Sequence, residues 1–172
     1  SGADKRIQAE RKMERLAADA FDLAEEGKVK EAIELLETFP SDLRDQPAWT
    51  EVGQRDIANY RQVLVLKDEL DAALAAGEGG DKDKLTAKVK EVEDREYAHK
   101  GLPVVDRFKA KAREILGDNA YERILGSLRK EAINDDLGDL DSVLTRTSED
   151  DIELPPIPTA AEVVTRGNDQ RR

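Results

Sequence analysis

Apolar residues recur at spacings of three and four along most of this chain, which is the period of an amphipathic α-helix. The pattern predicts a helical hairpin over 4–39, a long helix over 47–76 and further helices over 81–133. Leu, Ala, Glu, Lys, Asp and Arg dominate the chain, and most of them favour helices. The fold class expected is therefore all-α, an irregular helical bundle or a short helical-repeat array of about six helices.

Glycine and proline separate these segments. Gly27 follows a first helix of about 4–26 as its C′ residue. Pro40 stops a second helix of about 29–39, because the residue before a proline avoids the helical conformation. Pro47 lies in the first turn of the long third helix, where its missing N–H costs nothing. The later breaks are Gly77–Gly80, Gly101–Pro103 and Gly117.

The first helix is regularly apolar only in its second half. From Met13 onward its apolar residues form a stripe that is expected to face the core. Between Lys5 and Arg15 most residues are charged, so this part is expected to project from the domain or to pair loosely. The apolar residues of this helix are Ile7, Met13, Leu16, Ala17, Ala20, Phe21, Leu23 and Ala24.

Beyond Ile133 the helical pattern gives way to Asp, Ser, Thr, Glu and Pro. This composition cannot bury enough apolar area to offset the conformational entropy of the chain. We therefore expect a helical domain at 4–133, followed by a disordered acidic C-terminal tail at 134–172.

The hairpin carries a run of small and apolar residues around its glycine turn, LAADAFDLAEEGKVKEAIELLE. Over about 30 residues it resembles a tetratricopeptide-type repeat, and the departures are an early Pro40 and a third helix about twice the usual length. A weaker echo at 70–92 follows at a spacing near 50 residues, whereas the family repeats about every 34. The resemblance implies close helix packing and binding of proteins or peptides. It rests on Leu16, Ala20, Leu23, Gly27, Val29, Ala32, Ile33 and Leu36.

Charge narrows the class of partner. The net charge is -11, which opposes binding to nucleic acid and to an anionic membrane surface. No apolar run approaches the roughly 18 residues that span a bilayer, so no direct membrane insertion is expected. A protein or peptide partner with a basic patch suits the acidic tail.

Residues that could carry chemistry are few, and each fits a structural role better. His99 is the only histidine, and it is predicted near a helix end. Neighbouring carboxylates such as Asp150 and Asp151 point to different faces if helical, and the Gly77–Gly80 run lacks the Lys-Ser/Thr of a phosphate loop. With no cysteine in the chain, cysteine-based sites are excluded. We expect no catalytic residues, no cofactor and no metal.

Two regions hold the candidate partner-binding residues. On the helical surface Trp49 and Tyr60 are the aromatic candidates, although packing of Trp49 over the first hairpin is the stronger alternative. In the tail a proline-rich segment could dock in extended form, with an inert chain end as the equal alternative. Its residues are Ile152, Leu154, Pro155, Pro156, Ile157 and Pro158.

The function expected is a non-catalytic scaffold or adaptor that binds a protein or peptide through its helical surface, its acidic tail or both. The alternative is a regulatory or sensor domain excised from a larger, membrane-anchored or free protein. The start Ser1-Gly2-Ala3, without Met, is read as a cleavage scar, so the coding sequence upstream of Ala3 would separate the two hypotheses. A cytoplasmic location is favoured over an extracytoplasmic one.

Overall fold

The computed structural model describes the main chain of residues 1–149 and the side chains of residues 1–140. Within that part of the chain all regular structure is helical, and no strand occurs, which confirms the all-α prediction. A 3₁₀ turn at Ser41–Leu43 and a π-helical segment at Ala48–Gly53 precede the third helix. The helices are α1 (Gly2–Glu25), α2 (Val29–Leu36), α3 (Gln54–Glu78), α4 (Lys82–Glu93), α5 (Pro103–Leu116) and α6 (Asp118–Glu149).

The chain divides into two units after residue 128, and the first comprises residues 1–128. In the first unit α1 packs on α2, α2 packs on α3, and α3 packs on both α4 and α5. Leu, Val, Ala, Ile, Phe and a single Trp, Met and Tyr supply its buried side chains, and no polar or charged residue apart from that tyrosine is buried among the described residues. The first unit therefore has the thin aliphatic core that the composition leads one to expect.

The α1–α2 hairpin forms where the sequence predicts it. Gly27 adopts a positive φ of 82°, and the Lys28 N–H donates to the Leu23 carbonyl at 2.9 Å, which closes α1 with a Schellman turn. Ala20 and Ala32 are fully buried, so the two helices can approach closely. The hairpin is thereby fixed by local turn chemistry and by small residues at the contact.

The first part of α1 is packed, and the expectation that it projects is wrong. Ala9 and Met13 are buried, and α1 contacts the π-helical segment as well as α2. These two residues share one helical face with the buried Leu16, while the charged residues lie on the remaining faces. Phe21 was expected in the core stripe but is 55% exposed. It lies about 100° around the helix from the buried Ala20.

Two helix boundaries differ from those predicted. The fourth helix ends at Glu93, before the predicted Gly101–Pro103 break, because the Asp94 carboxylate accepts a hydrogen bond from the Glu96 N–H and closes a turn. The sixth helix continues past Ile133 to Glu149. No proline interrupts this stretch, and Ile133, Leu137 and Leu140 maintain helical spacing through the acidic residues. The rest of the predicted tail, 150–172, lies outside the described residues.

Candidate functional site

Trp49 is part of the hydrophobic core. Its side chain is 7% exposed and its ring stacks on Phe39, with centroids 5.4 Å apart and planes 8° apart. The Arg44 guanidinium lies over the Trp49 ring, 4.3 Å from its centroid. Arg44 also donates to the Glu37 carbonyl at 2.7 Å, close to the end of α2. The packing alternative for Trp49 is therefore the one observed.

The remaining predicted partner-binding residues are Tyr60 and a segment of the tail. Tyr60 is half-buried on α3 against the core. Burial raises the pKa of its phenol above the usual value, and the negative charges of Asp56 and Glu25 add to this shift. The predicted tail residues lie outside the described part of the chain. They are Ile152, Leu154, Pro155, Pro156, Ile157 and Pro158.

An apolar groove of about 320 Å³ lies between α1 and the π-helical segment. We call it the α1–π groove. Met13 and Ala48 are its buried floor, and the half-buried Ala17 and Val52 extend that floor toward solvent. The small Ala side chains leave the space that larger residues would fill. Pro47 and a charged rim complete the lining, and the rim consists of Arg6, Glu10, Glu14 and Glu51.

Gly53 is the residue that lets the two walls of this groove meet. A Cβ at position 53 would lie 2.7 Å from the Met13 Cε atom and 2.8 Å from Trp49 Cε3, closer than side chains pack. The adjoining turn is π-helical, since the Gln54 N–H donates to the Trp49 carbonyl. Such turns are frequent at functional sites because they change which side chains face outward.

The rim of the α1–π groove is acidic. Glu10 is paired with Arg6 at 3.0 Å, with both side chains exposed. Glu14 and Glu51 make no ion pair among the described residues, so two carboxylates at the rim retain unbalanced charge. A surface of this kind favours a ligand that combines an apolar side chain with positive charge.

Two further depressions are more polar, and each contains an ion pair. A groove of about 520 Å³ beside α2 and α3 is lined by Trp49 and Ile57, and across it Arg61 pairs with Glu37 at 3.3 Å. A cleft of about 190 Å³ lies between the end of α1, α3 and α5, and its Lys67 pairs with Asp71 at 2.6 Å. The α1–π groove is the better candidate because its floor is apolar.

The sequence pattern does not predict this groove. The apolar pattern places Ala17 in the core stripe of the first helix, whereas it is half-buried at the groove and Met13 is buried. The π-helical turn at Ala48–Gly53 has no sequence signature beyond the small residues at its two ends. One signal in the sequence is that Ala17 and Ala48, two small residues, each lie close to glutamates.

The residues that could bind metal do not converge in the described part of the chain. No group of three or more His, Cys, Asp or Glu side chains lies close enough to hold an ion there. His99 is exposed and packs edge-on against Tyr97, with ring centroids 5.5 Å apart. Among the described helices none has the length and apolar character needed to cross a membrane.

No family model, no curated protein and no solved structure matches the chain.

Proposed function

We propose that this protein is a non-catalytic interaction module, a scaffold or adaptor that binds a peptide segment of a partner in the α1–π groove. The observation that carries the proposal is an apolar floor of Met13, Ala17, Ala48 and Val52 beneath an acidic rim. The resemblance of the first hairpin to peptide-binding repeats supports the same function. The tail segment at 152–158 remains a second predicted contact.

The chemistry of the groove defines the ligand. One or two aliphatic side chains of the ligand fit the apolar floor, and removing them from water favours binding. Flanking Lys or Arg residues then approach Glu14 and Glu51, which lack an ion-pair partner among the described residues. Because exposed ion pairs contribute little affinity, the carboxylates chiefly select the partner and accelerate association.

A peptide library tests this proposal directly. The library places Leu, Ile or Met between Lys or Arg residues, and its acidic counterpart places the same residues between Asp or Glu. We expect the basic members to bind the full chain, and we expect added salt to weaken the binding. Fluorescence polarisation measures both series.

Matched charge reversals locate the site. The double variant Glu14→Lys, Glu51→Lys should weaken binding of the basic peptides by about tenfold or more. The control double variant Glu31→Lys, Glu34→Lys changes the net charge equally on exposed positions of α2 that do not line the groove. Equal binding by the groove variant and the wild type, or equal loss in both variants, would exclude the α1–π groove as the site.

A further inference from the structure

The cleft of about 190 Å³ between the end of α1, α3 and α5 has four apolar side chains at its base and charged side chains at its rim. We call it the α1–α3–α5 cleft. Each residue of the base is at most 7% exposed and belongs to the hydrophobic core. Since an apolar cavity of about 150 Å³ is large enough to hold benzene, the cleft has room for a group of about six carbon atoms. The residues of the base are Leu70, Leu74, Val104 and Phe108.

Arg107 is held at one side of this cleft by the turn that follows α1. Its Nη2 atom donates to the Glu25 carbonyl at 3.1 Å. Its stem lies against Gly27, where a Cβ would be 3.0 Å from the Arg107 Cδ atom. Among the described residues no carboxylate forms an ion pair with Arg107. A guanidinium has five N–H donors, so several of them remain for a ligand in the cleft.

Lys111 adds a second positive charge on the same helix. It lies one turn after Arg107 on α5, lines the cleft and is exposed. It makes no ion pair with another described residue. Like charges four residues apart repel each other and destabilise a helix, so an anion bound near both Arg107 and Lys111 relieves this repulsion.

The remaining charges of the rim already have partners. Asp71 and Glu26 are the carboxylates that line the cleft, and each of them forms an ion pair with a lysine. Arg107 and Lys111 are therefore the rim charges without an ionic partner among the described residues, in a chain whose net charge is -11. The ion pairs are Lys67–Asp71 at 2.6 Å and Lys28–Glu26 at 3.2 Å.

We propose that the α1–α3–α5 cleft binds a carboxylate carried on a short apolar group. The carboxylate pairs with Arg107 and Lys111, and the apolar group covers the base of the cleft. A guanidinium and a carboxylate are both planar, so they can form two parallel hydrogen bonds. Two sources supply this chemistry: a small aliphatic or aromatic acid, and the C-terminal residue of a protein that ends in an apolar side chain.

Other ligands satisfy the cleft less well. Inorganic phosphate has no apolar part for the base, and its second negative charge would lie near Asp71 and Glu26. A neutral apolar molecule would cover Arg107 and Lys111 without compensating their charge. The cleft shares no lining residue with the α1–π groove, so this proposal does not depend on the proposed function.

Amide NMR spectra of the isotopically labelled full chain test the proposal with benzoate and isocaproate, each compared with its neutral amide. We expect both acids to shift the signals of residues around the cleft. Dissociation constants on the order of 1–10 mM are expected for ligands of this size. The neutral amides should bind about tenfold more weakly or less, because hydrogen bonds to a charged group are the stronger ones.

A peptide distinguishes the two sources of the carboxylate. An acetylated tripeptide ending in leucine is titrated as the free acid and as the C-terminal amide. Tighter binding by the free-acid peptide than by isocaproate identifies the C-terminus of a protein as the ligand. Weaker binding by this peptide than by isocaproate identifies a small free acid.

Three single variants locate the site. Lys111→Gln should weaken isocaproate binding about threefold, as expected for an exposed ion pair. Arg107→Gln should weaken it about tenfold or more. Since Arg107 also bonds to the Glu25 carbonyl, circular dichroism checks the fold, and Arg107→Lys, which keeps the charge, should retain part of the binding. The control is Lys84→Gln, because Lys84 is exposed on α4 and does not line the cleft.

Four results would each overturn the proposal. The first is the absence of signal changes around the cleft at acid concentrations up to about 50 mM. The second is equal binding of an acid and its neutral amide. The third is binding of inorganic phosphate as tight as that of isocaproate. The fourth is an equal loss of isocaproate binding in Lys84→Gln and Lys111→Gln.

Discussion

Tyr121 has a buried hydroxyl without a hydrogen-bond partner among the described residues. The residue is 2% exposed, and the Arg113 guanidinium lies 4.5 Å from the centroid of its ring. Burial raises the pKa of the phenol well above its usual value, and the negative charge of the nearby Glu93 carboxylate raises it further. The Glu93 carboxylate also forms an ion pair with Lys109 at 2.7 Å.

Tyr121→Phe should leave the stability of the protein unchanged or raise it slightly. The substitution removes a desolvated hydroxyl that gains no hydrogen bond, while the ring and its contact with Arg113 remain. Urea unfolding of the variant and the parent measures the difference. A loss of more than about 1 kcal/mol would mean that the hydroxyl is bonded, for instance to Glu93.

Gly53→Ala should destabilise the protein by about 1–3 kcal/mol, since a methyl group there overlaps Met13 and Trp49 and forces both to move. Gly126→Ala in α6 is the matched control. No atom lies within 4 Å of a Cβ at that position, so the helix should gain about 0.5–1 kcal/mol from the better helix former. Thermal unfolding compares the two, and a stable Gly53→Ala variant would show that the groove walls are not in close contact.

Sequence alone could not decide which aromatic residues face outward. Trp49 and Phe21 are both large apolar residues at helical spacing, but Trp49 is buried and Phe21 is exposed. The contacts that bury Trp49 come from Phe39, Arg44 and Gly53, and they depend on the turns between α2 and α3. A stripe of apolar residues fixes a helical face only to within about 100°, and Phe21 lies at that margin.

At the scale of the elements, the α1–α2 hairpin depends on a fully buried seam. Ala32 and Leu36 of α2 are both inaccessible to solvent, as the sequence pattern predicts. The hairpin also holds the floor of the α1–π groove, because Met13 of α1 belongs to the same core. Damage to α2 should therefore abolish peptide binding together with the fold.

Leu36→Asp should unfold the first unit or lower its unfolding temperature sharply. A carboxylate at this position would be buried without a partner, at a cost of several kcal/mol. Leu36→Met is the control, because it keeps the volume and should cost less than about 1.5 kcal/mol. Differential scanning calorimetry measures both, and equal transitions for Asp and the parent would mean that this face of α2 is accessible.

The presence of a helix could be predicted in each region of the first unit. There the spacing of apolar residues, the helix propensity and the turn residues agree. Helix ends were less predictable where a side chain competes with the backbone, as at Asp94. The continuation of α6 past Ile133 was missed because acidic composition outweighed the spacing of Leu137 and Leu140. These residues are 54% exposed each, so this part of the helix rests on local propensity more than on packing.

At the scale of the whole molecule, several groups bind protons more tightly in the folded state. Burial raises the pKa of Tyr60, Tyr97 and Tyr121 above the usual 10.0. Burial alone lowers the pKa of Lys88, but hydrogen bonds to Glu69 and Glu91 outweigh it and leave the pKa above 10.5. In each case the unfolded chain releases its proton at lower pH than the folded protein does.

The unfolding free energy should therefore be constant up to about pH 10 and fall as the pH rises through the folded pKa values of these groups. Urea unfolding between pH 7 and 11.5 measures this dependence, and phenolate absorbance follows the tyrosines. Tyr121→Phe should reduce the alkaline slope. Half of the full phenolate absorbance already at about pH 10, in a protein that retains its helical signal, would show that the tyrosines are solvated.

The packing of Trp49 against Phe39 and Arg44 also makes tryptophan fluorescence a probe of this part of the core. Trp49 is the only tryptophan, so all indole emission comes from one place among α1, α2 and α3. The spectrum should be blue-shifted in the native state and should move to the red when this region opens to water. Far-ultraviolet dichroism sums over all six helices, including α4 to α6, where no indole lies. If the two signals change at the same urea concentration, the helices melt as one cooperative body; if the emission changes first, the α1–π region opens before the rest.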